Sequence, residues 1–267
     1  MGSRRKIESR FLMNLIIMLY KLMLAIASVL LKAIIWMLWI VLPGVIYFIW
    51  SIWGYSKSEY KQATNNSLLS VYLDKGKRGE YLIYRHLKGT IKNAQWLFNL
   101  YLPRDCGKTT EIDVMMIHTS GIYVFESKNY SGWIFGSQDR DQWTQCIKPD
   151  ESTRVKKYHF LNPLKQNDTH VRYLKPLLPS EVHQHIFPIV VFGNQCKLKK
   201  IGVQQHIQPV VRRKDIKHIF NERIDSVVIS EAAVRGIYDS LFKYSQVDES
   251  IKLKHIEDID KIKSYKI

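Results

Sequence analysis

Acidic residues are scarce in this chain. The 24 Asp and Glu face 40 Lys and Arg, leaving a formal net charge of +16. That deficit points to a polyanionic partner, either nucleic acid or an anionic membrane surface. Cysteine is scarcer still. Cys106, Cys146 and Cys196 are odd in number, widely spaced and without a CxxC pair, a pattern that speaks against a disulfide framework and a thiolate zinc site. Free thiols suit a reducing compartment. No repeat or low-complexity tract is visible, and 24% charged with 12% aromatic residues excludes a disordered chain. A glycine is missing where a phosphate loop needs one. Gly107-Lys108-Thr109 ends like such a loop, but Leu102 stands five residues before Gly107. His183 and His185 lie in a polar stretch without further zinc partners.

Residues 33–53 contain no charge across 21 positions, enough to cross a hydrocarbon core of ~30 Å as a helix. Trp36, Trp39, Tyr47, Trp50 and Trp53 supply rings that favour the membrane interfaces. Pro43-Gly44 is tolerated inside such a span. Residues 11–31 are also mostly apolar. Here Arg10, Asn14, Lys21, Ser28 and Lys32 recur at spacings of four and seven, forming one polar stripe. This stretch reads either as a second span, completing a hairpin, or as a basic helix lying in the interface. The hairpin suits the flanking charges, with Arg4, Arg5, Lys6 and Arg10 before it and Lys57 and Lys61 after it. Residues 1–53 thus form a membrane segment, 54–71 a polar linker, and the remainder is expected in the cytoplasm. The membrane segment holds six basic residues and one acid. The rest keeps 34 basic against 23 acidic groups, a net of +11.

Beyond the linker the pattern fits one α/β domain over residues 72–245, followed by a tail, 246–267, that reads as a peripheral helix or a loose end. Glu80, Ile83, Tyr84 and Leu87 share one face of a helix over 75–87. Strands are expected at 96–102, 112–117 and 122–128, the last two joined by His118-Thr-Ser-Gly121. Asn162-Pro163 opens a helix that Pro176 stops. A buried strand at 186–192 follows, then a strand at 225–229 and a helix begun by Ser230-Glu231.

Pairing Ile117 with Ile122 would place Asp113 opposite Glu126, at a Cβ separation of ~4.5–5.5 Å. Two buried carboxylates that close repel unless a cation joins them. Mg²⁺ or Mn²⁺ suits such hard oxygen ligands. Lys128 projects from the same strand face as Glu126, where its ammonium could orient or deprotonate an attacking water and stabilise a pentavalent phosphate. Glu80 lies on the apolar helix face, directed at the sheet.

The segments GKRGEYLIYRHL, TEIDVMMIHTSGIYVFESKNYSGWIFGS and NPLKQNDTHVRYLK resemble the nuclease-related domain (NERD) family, which is grouped with the PD-(D/E)XK nuclease superfamily. The resemblance covers about residues 72–195. It implies a restriction-endonuclease-like core, a mixed central sheet flanked by helices, behind an N-terminal transmembrane helix or hairpin. It also implies metal-binding roles for Asp113, Glu126 and Glu80, and a motif-lysine role for Lys128. Gln166 and His170, four apart on the following helix, could then orient phosphate or water. Ser127 departs from the apolar residue or Thr common at its position, and it faces away from the site.

Lys197, Lys199 and Lys200, with Arg212, Arg213 and Lys214, form basic clusters suited to phosphate contacts. Trp133, Phe135 and Trp143 suit core packing or stacking on bases. The expectation is a membrane-anchored, Mg²⁺- or Mn²⁺-dependent nuclease acting on DNA, with lipid contacted by the N-terminal segment. The alternative is a module that holds nucleic acid or protein on the same fold without cutting. A third reading leaves the basic face gripping anionic lipid.

Overall fold

In the computed structural model, which describes residues 2–148, 154–204, 206–221 and 223–264, the chain divides into two units, Met1–Ser56 and Lys57–Ile267. The first is one helix, α1 (Gly2–Ser56). It passes unbroken through Lys32 and Pro43, so the expected hairpin does not form. Leu30, Leu31 and Ala33 around Lys32 offer no turn residue, and proline removes one helical hydrogen bond without ending a helix this long. Leu12–Ser56 is one helix long and apolar enough to cross a membrane. Its 45 residues extend about 68 Å, more than twice a ~30 Å hydrocarbon core. Trp36 and Trp39 are among its many exposed rings. The side chains of Arg4, Arg5 and Lys6 lie outside the described residues.

In the second unit, the stretch expected as a linker forms two short helices, α2 (Glu59–Thr64) and α3 (Leu68–Leu73), capped by Ser58 and Ser67. Tyr60 and Val71 are buried, and one apolar anchor in each helix ties a polar segment to the domain. The Tyr60 ring meets Phe98 edge-on. α4 (Lys75–Lys88) starts at Asp74, whose side chain accepts the Lys77 N–H, and buries Ile83, Tyr84 and Leu87.

β1 (Gln95–Pro103), β2 (Thr109–His118) and β3 (Gly121–Lys128) form an antiparallel meander. β7 (Ile186–Phe192) and β9 (Val210–Arg212) extend it in parallel, giving the order β1-β2-β3-β7-β9. α5 (Pro163–Leu174), capped by Asn162, packs on this sheet together with α6 (Glu231–Phe242). Leu97, Met115, Ile122 and Val124 form the core with Leu174 and Ile237.

A second mixed sheet was not anticipated. It is built from β4 (Gly132–Ser137), β5 (Gln142–Ile147), β6 (Lys156–Leu161) and β8 (Cys196–Gly202), in the order β6-β5-β4-β8. Trp143 and Ile134 bury one face of it against Leu164, Val190 and Phe192. Gly136 permits this, since a Cβ there would collide with the Trp143 indole. The chain is therefore α/β with two mixed sheets flanked by helices.

The strand expected at 225–229 does not form. Val227 is exposed, and the N–H groups of Val228 and Ile229 both donate to Thr119 O at the β2–β3 turn. The tail residues expected at the periphery form α7 (Glu249–Ser264), which buries His255.

Candidate functional site

The β2–β3 ladder pairs Ile117 with Ile122 and ends at Val114–Phe125. Asp113 and Glu126 follow directly beyond the last rung, where the strands part. Here Asp113 Oδ2 accepts the Ser127 N–H at 2.8 Å, a side-chain bond in place of the next ladder bond. Side chains alternate along β3. Ser127 meets α4, where a Cβ on Gly79 would fall 2.5 Å from the Ser127 Oγ. Glu126 and Lys128 point the other way, toward α5.

A cavity of about 420 Å³ opens there, lined by Glu111, Asp113, Glu126, Lys128, Gln166 and His170, with α7 adding His255. Lys128 Nζ is 2.6 Å from Glu126 Oε1. His170 Nε2 is 2.9 Å from Glu126 Oε2, and His170 Nδ1 is 2.7 Å from Thr110 Oγ1. Glu126 is 3% exposed and His170 6%, so water screens neither contact well. A second chain of contacts borders the first. Tyr101 donates to Glu111 Oε1 at 2.6 Å, His255 Nε2 stands 3.6 Å from Glu111 Oε2, and His255 Nδ1 is 2.9 Å from Thr109 Oγ1.

Burial alone would raise the Glu126 carboxyl, but the Lys128 ammonium and the His170 imidazole outweigh it and pull it down to about 2. Burial likewise opposes the Lys128 charge, and Glu126 and Asp113 reverse that, holding the ammonium above its ordinary range. Asp113 is driven well up by burial, by Glu126 and by Glu80. Burial also raises Glu111. Glu80, whose Oε2 accepts from Tyr60 OH at 3.0 Å, is pushed up to about 8 by burial and then by Glu111.

Asp113, Glu126, Lys128, Gln166 and His170 are thus brought to one cavity. Glu80 is not among its lining residues. It rides on α4, across β3 from Glu126, and acts on Asp113 through its charge. Lys197, Lys199 and Lys200 are exposed on β8, and Arg212 and Arg213 sit at the end of β9, none of them lining the cavity. Arg212 Nε is paired with Asp215 at 3.0 Å. Glu111, Thr110 and His255 escaped the sequence reading. Glu111 carried a signal, standing two residues before Asp113 on one strand. His255 carried none, because its partners are about 145 residues away in the chain.

Among the described residues no three His, Cys, Asp or Glu side chains converge as a ready-made metal set, since Glu126 turns its oxygens to Lys128 and His170. The donor chemistry nevertheless fits a hard divalent cation. Asp113 and Glu111 are carboxylates held toward the protonated form by burial and by neighbouring carboxylates, and Mg²⁺ takes one or two such oxygens and keeps water on its other positions.

Residues 75–193 match the family described as Nuclease-related domain (NERD). An uncharacterized protein of Bacillus anthracis is 32% identical over 184 residues, covering 68% of this chain and 82% of that protein. No solved structure matches.

Proposed function

This chain belongs to the nuclease-related domain family, and we propose on that footing that it is a membrane-anchored, metal-dependent nuclease hydrolysing phosphodiester bonds, those of DNA in particular. The observation that carries the reading is the meeting of Asp113, Glu126 and Lys128 in one cavity, with the Lys128 ammonium 2.6 Å from Glu126. Asp113 and Glu126 would hold Mg²⁺ or Mn²⁺, with Glu80 adding its charge from behind β3. Bound there, the ion would supply a Lewis acid for the phosphoryl oxygen and a more acidic water.

Lys128 contributes charge. Its neighbours hold it protonated, so it positions the attacking water and stabilises the pentavalent phosphate rather than taking the proton. Glu126 is held ionised at about 2, and an ionised carboxylate only accepts hydrogen bonds. His170 therefore carries its proton on Nε2 and fixes the Glu126 orientation from α5. Gln166 Oε1 is buried without a hydrogen-bond partner among the described residues, which suits it to a water or substrate hydroxyl in the cavity.

The test is cleavage of labelled DNA and RNA by the purified full chain with Mg²⁺, with Mn²⁺ and with EDTA. Metal-dependent cleavage is expected, and equal cleavage by parent and Lys128→Ala would sink the reading. A second reading, binding without cutting, is favoured by one observation. Both Glu126 oxygens are already engaged by protein groups. Binding unaffected by EDTA, with no products in either metal, would select it.

α1 supports the anchor. Since it is one helix, its basic flanks, Arg4, Arg5, Lys6 and Arg10 before it and Lys57 and Lys61 after it, do not decide the orientation. The free thiols Cys106, Cys146 and Cys196 favour a cytoplasmic second unit. Cys106 is exposed. An impermeant maleimide should label it only after the cells are opened, and labelling of intact cells would reverse the orientation.

A further inference from the structure

The four strands of the second sheet contain no Asp or Glu and five lysines: Lys156, Lys157, Lys197, Lys199 and Lys200. Strand register sorts these residues by face. Trp133 pairs with Cys146 on one side and with Lys197 on the other, and Cys146 pairs with Lys157. A row therefore crosses the sheet as Lys157–Cys146–Trp133–Lys197. The neighbouring position on β4, Ile134, is fully buried and marks the opposite, core face. Trp133 itself is 43% exposed. Its ring lies on the solvent face in mid-sheet, a small cysteine on one flank and ammonium groups beyond.

The next row on the same face holds Phe135, Thr144 and His159. His159 Nδ1 is 3.2 Å from Thr144 Oγ1, so the two side chains share a face, and His159 also borders the cavity of Glu126 and Lys128. Two strand spacings and two residues separate Trp133 from His159, about 12 Å. A register shift beside Phe135 sets Lys199 and Lys200 against it, with Lys200 in the left-handed region at φ 47°. Asp139 and Asp141 in the β4–β5 turn are off the strands, and Asp141 is paired with Lys165. Asp150 and Glu151 lie outside the described residues.

The geometry points to this face as a platform for single-stranded nucleic acid, which stacks a base on Trp133, sets flanking phosphates on Lys197, Lys199 and Lys157, and leads the strand past His159 to the cavity. As the approach to that cavity, the platform rests on the nuclease reading; as a binding surface it stands apart from it. Single strands are selected because a flat exposed ring needs an unstacked base, and duplex bases offer none. A lipid surface fits less well. Trp133 is pinned in mid-sheet rather than carried on a loop that could enter a bilayer, and the face is continuous with the cavity.

The experiment is fluorescence anisotropy of a labelled oligothymidylate with the full chain in zwitterionic nanodiscs, in EDTA and over a range of salt. Trp133→Ala should weaken binding about tenfold, the order of one base–aromatic stack, while Trp133→Phe keeps most of it. The exposed pair Lys197→Ala/Lys199→Ala should lower the salt slope by about 1.4, at ~0.7 per phosphate contact on a single strand. Equal affinity across parent and variants overturns the platform, whether or not the parent cleaves. Weakened binding in the variants, with no cleavage by the parent in either metal, upholds it and removes the nuclease reading. Unchanged oligonucleotide binding, together with a Trp133-dependent blue shift in anionic nanodiscs, assigns the face to lipid and also overturns it.

Discussion

Glu126 on β3 and His170 on α5 are joined across the sheet–helix interface by a 2.9 Å contact between Oε2 and Nε2. Thr110 on β2 holds the other imidazole nitrogen. One carboxylate is thereby aimed by two elements distant in sequence. Glu126 cannot rotate without losing either His170 or Lys128.

Replacing His170 should therefore disturb geometry more than folding. His170→Ala is expected to lower cleavage about 10- to 100-fold, the usual cost of losing a group that orients a metal-binding carboxylate, and to require more Mg²⁺ for half-maximal rate. His170→Gln, which can still donate to Glu126, should recover part of the loss. A metal titration identical to that of the parent would deny His170 this role.

Lys128→Ala should reduce turnover about 10²- to 10³-fold, comparable with removing one donor that stabilises transition-state charge, while circular dichroism shows the domain folded. Lys128→Arg should not restore the rate, because a planar guanidinium does not reproduce a compact ammonium at 2.6 Å from Glu126. Full rescue by arginine would count against a positional role.

Stability without metal should depend on pH in a defined direction. The Glu80 carboxyl rises from 4.5 to about 8 in the folded chain, so the folded state holds a proton that the unfolded state gives up. The stability linked to it is complete below about pH 4.5, declines as pH rises and is gone above about pH 8. Asp113 and Glu111, also raised, act in the same sense. In EDTA the melting temperature should fall across that window, and Glu80→Gln should flatten the fall. If Glu80→Gln tracks the parent, Glu80 is not the group that titrates.

Gly136→Ala should cost about 1–3 kcal/mol, the usual penalty of overpacking, because its methyl would enter the Trp143 indole. The readout is a lower denaturation midpoint. Trp143→Leu in the same background, which clears the collision, should lessen the additional cost of the alanine.

The parts legible in the sequence were those with strong local pattern. β2 and β3 show long apolar runs around a Gly-containing turn, and α5 announces itself by Asn162-Pro163. These elements carry Asp113, Glu126, Lys128, Gln166 and His170. The second sheet was hidden by its own function-like surface. β6 reads KKYHFL and β8 CKLKKIG, so lysines stand where apolar alternation would signal a strand. Conversely, Asp225–Ile229 looks like a strand, but five residues without a partner cannot form one, and Val227 remains 76% exposed. Basic residues at both outer ends of the apolar stretch suggested a hairpin, yet the helix continues, since no turn residue stands around Lys32 to end its hydrogen bonding. His255 was illegible because its contacts are made only by tertiary folding.

That His255 belongs to α7 has a consequence for how the molecule is made. Synthesis delivers α1 first, then the carboxylates of β2 and β3, then His170, and α7 after all of these. In a nascent chain that stops short of α7, the cavity therefore lacks the wall that carries His255. A ribosome stalled before α7 would present Glu126 and Lys128 beside an uncapped Glu111. The final wall therefore sets the moment in the life of each chain when the chamber is complete.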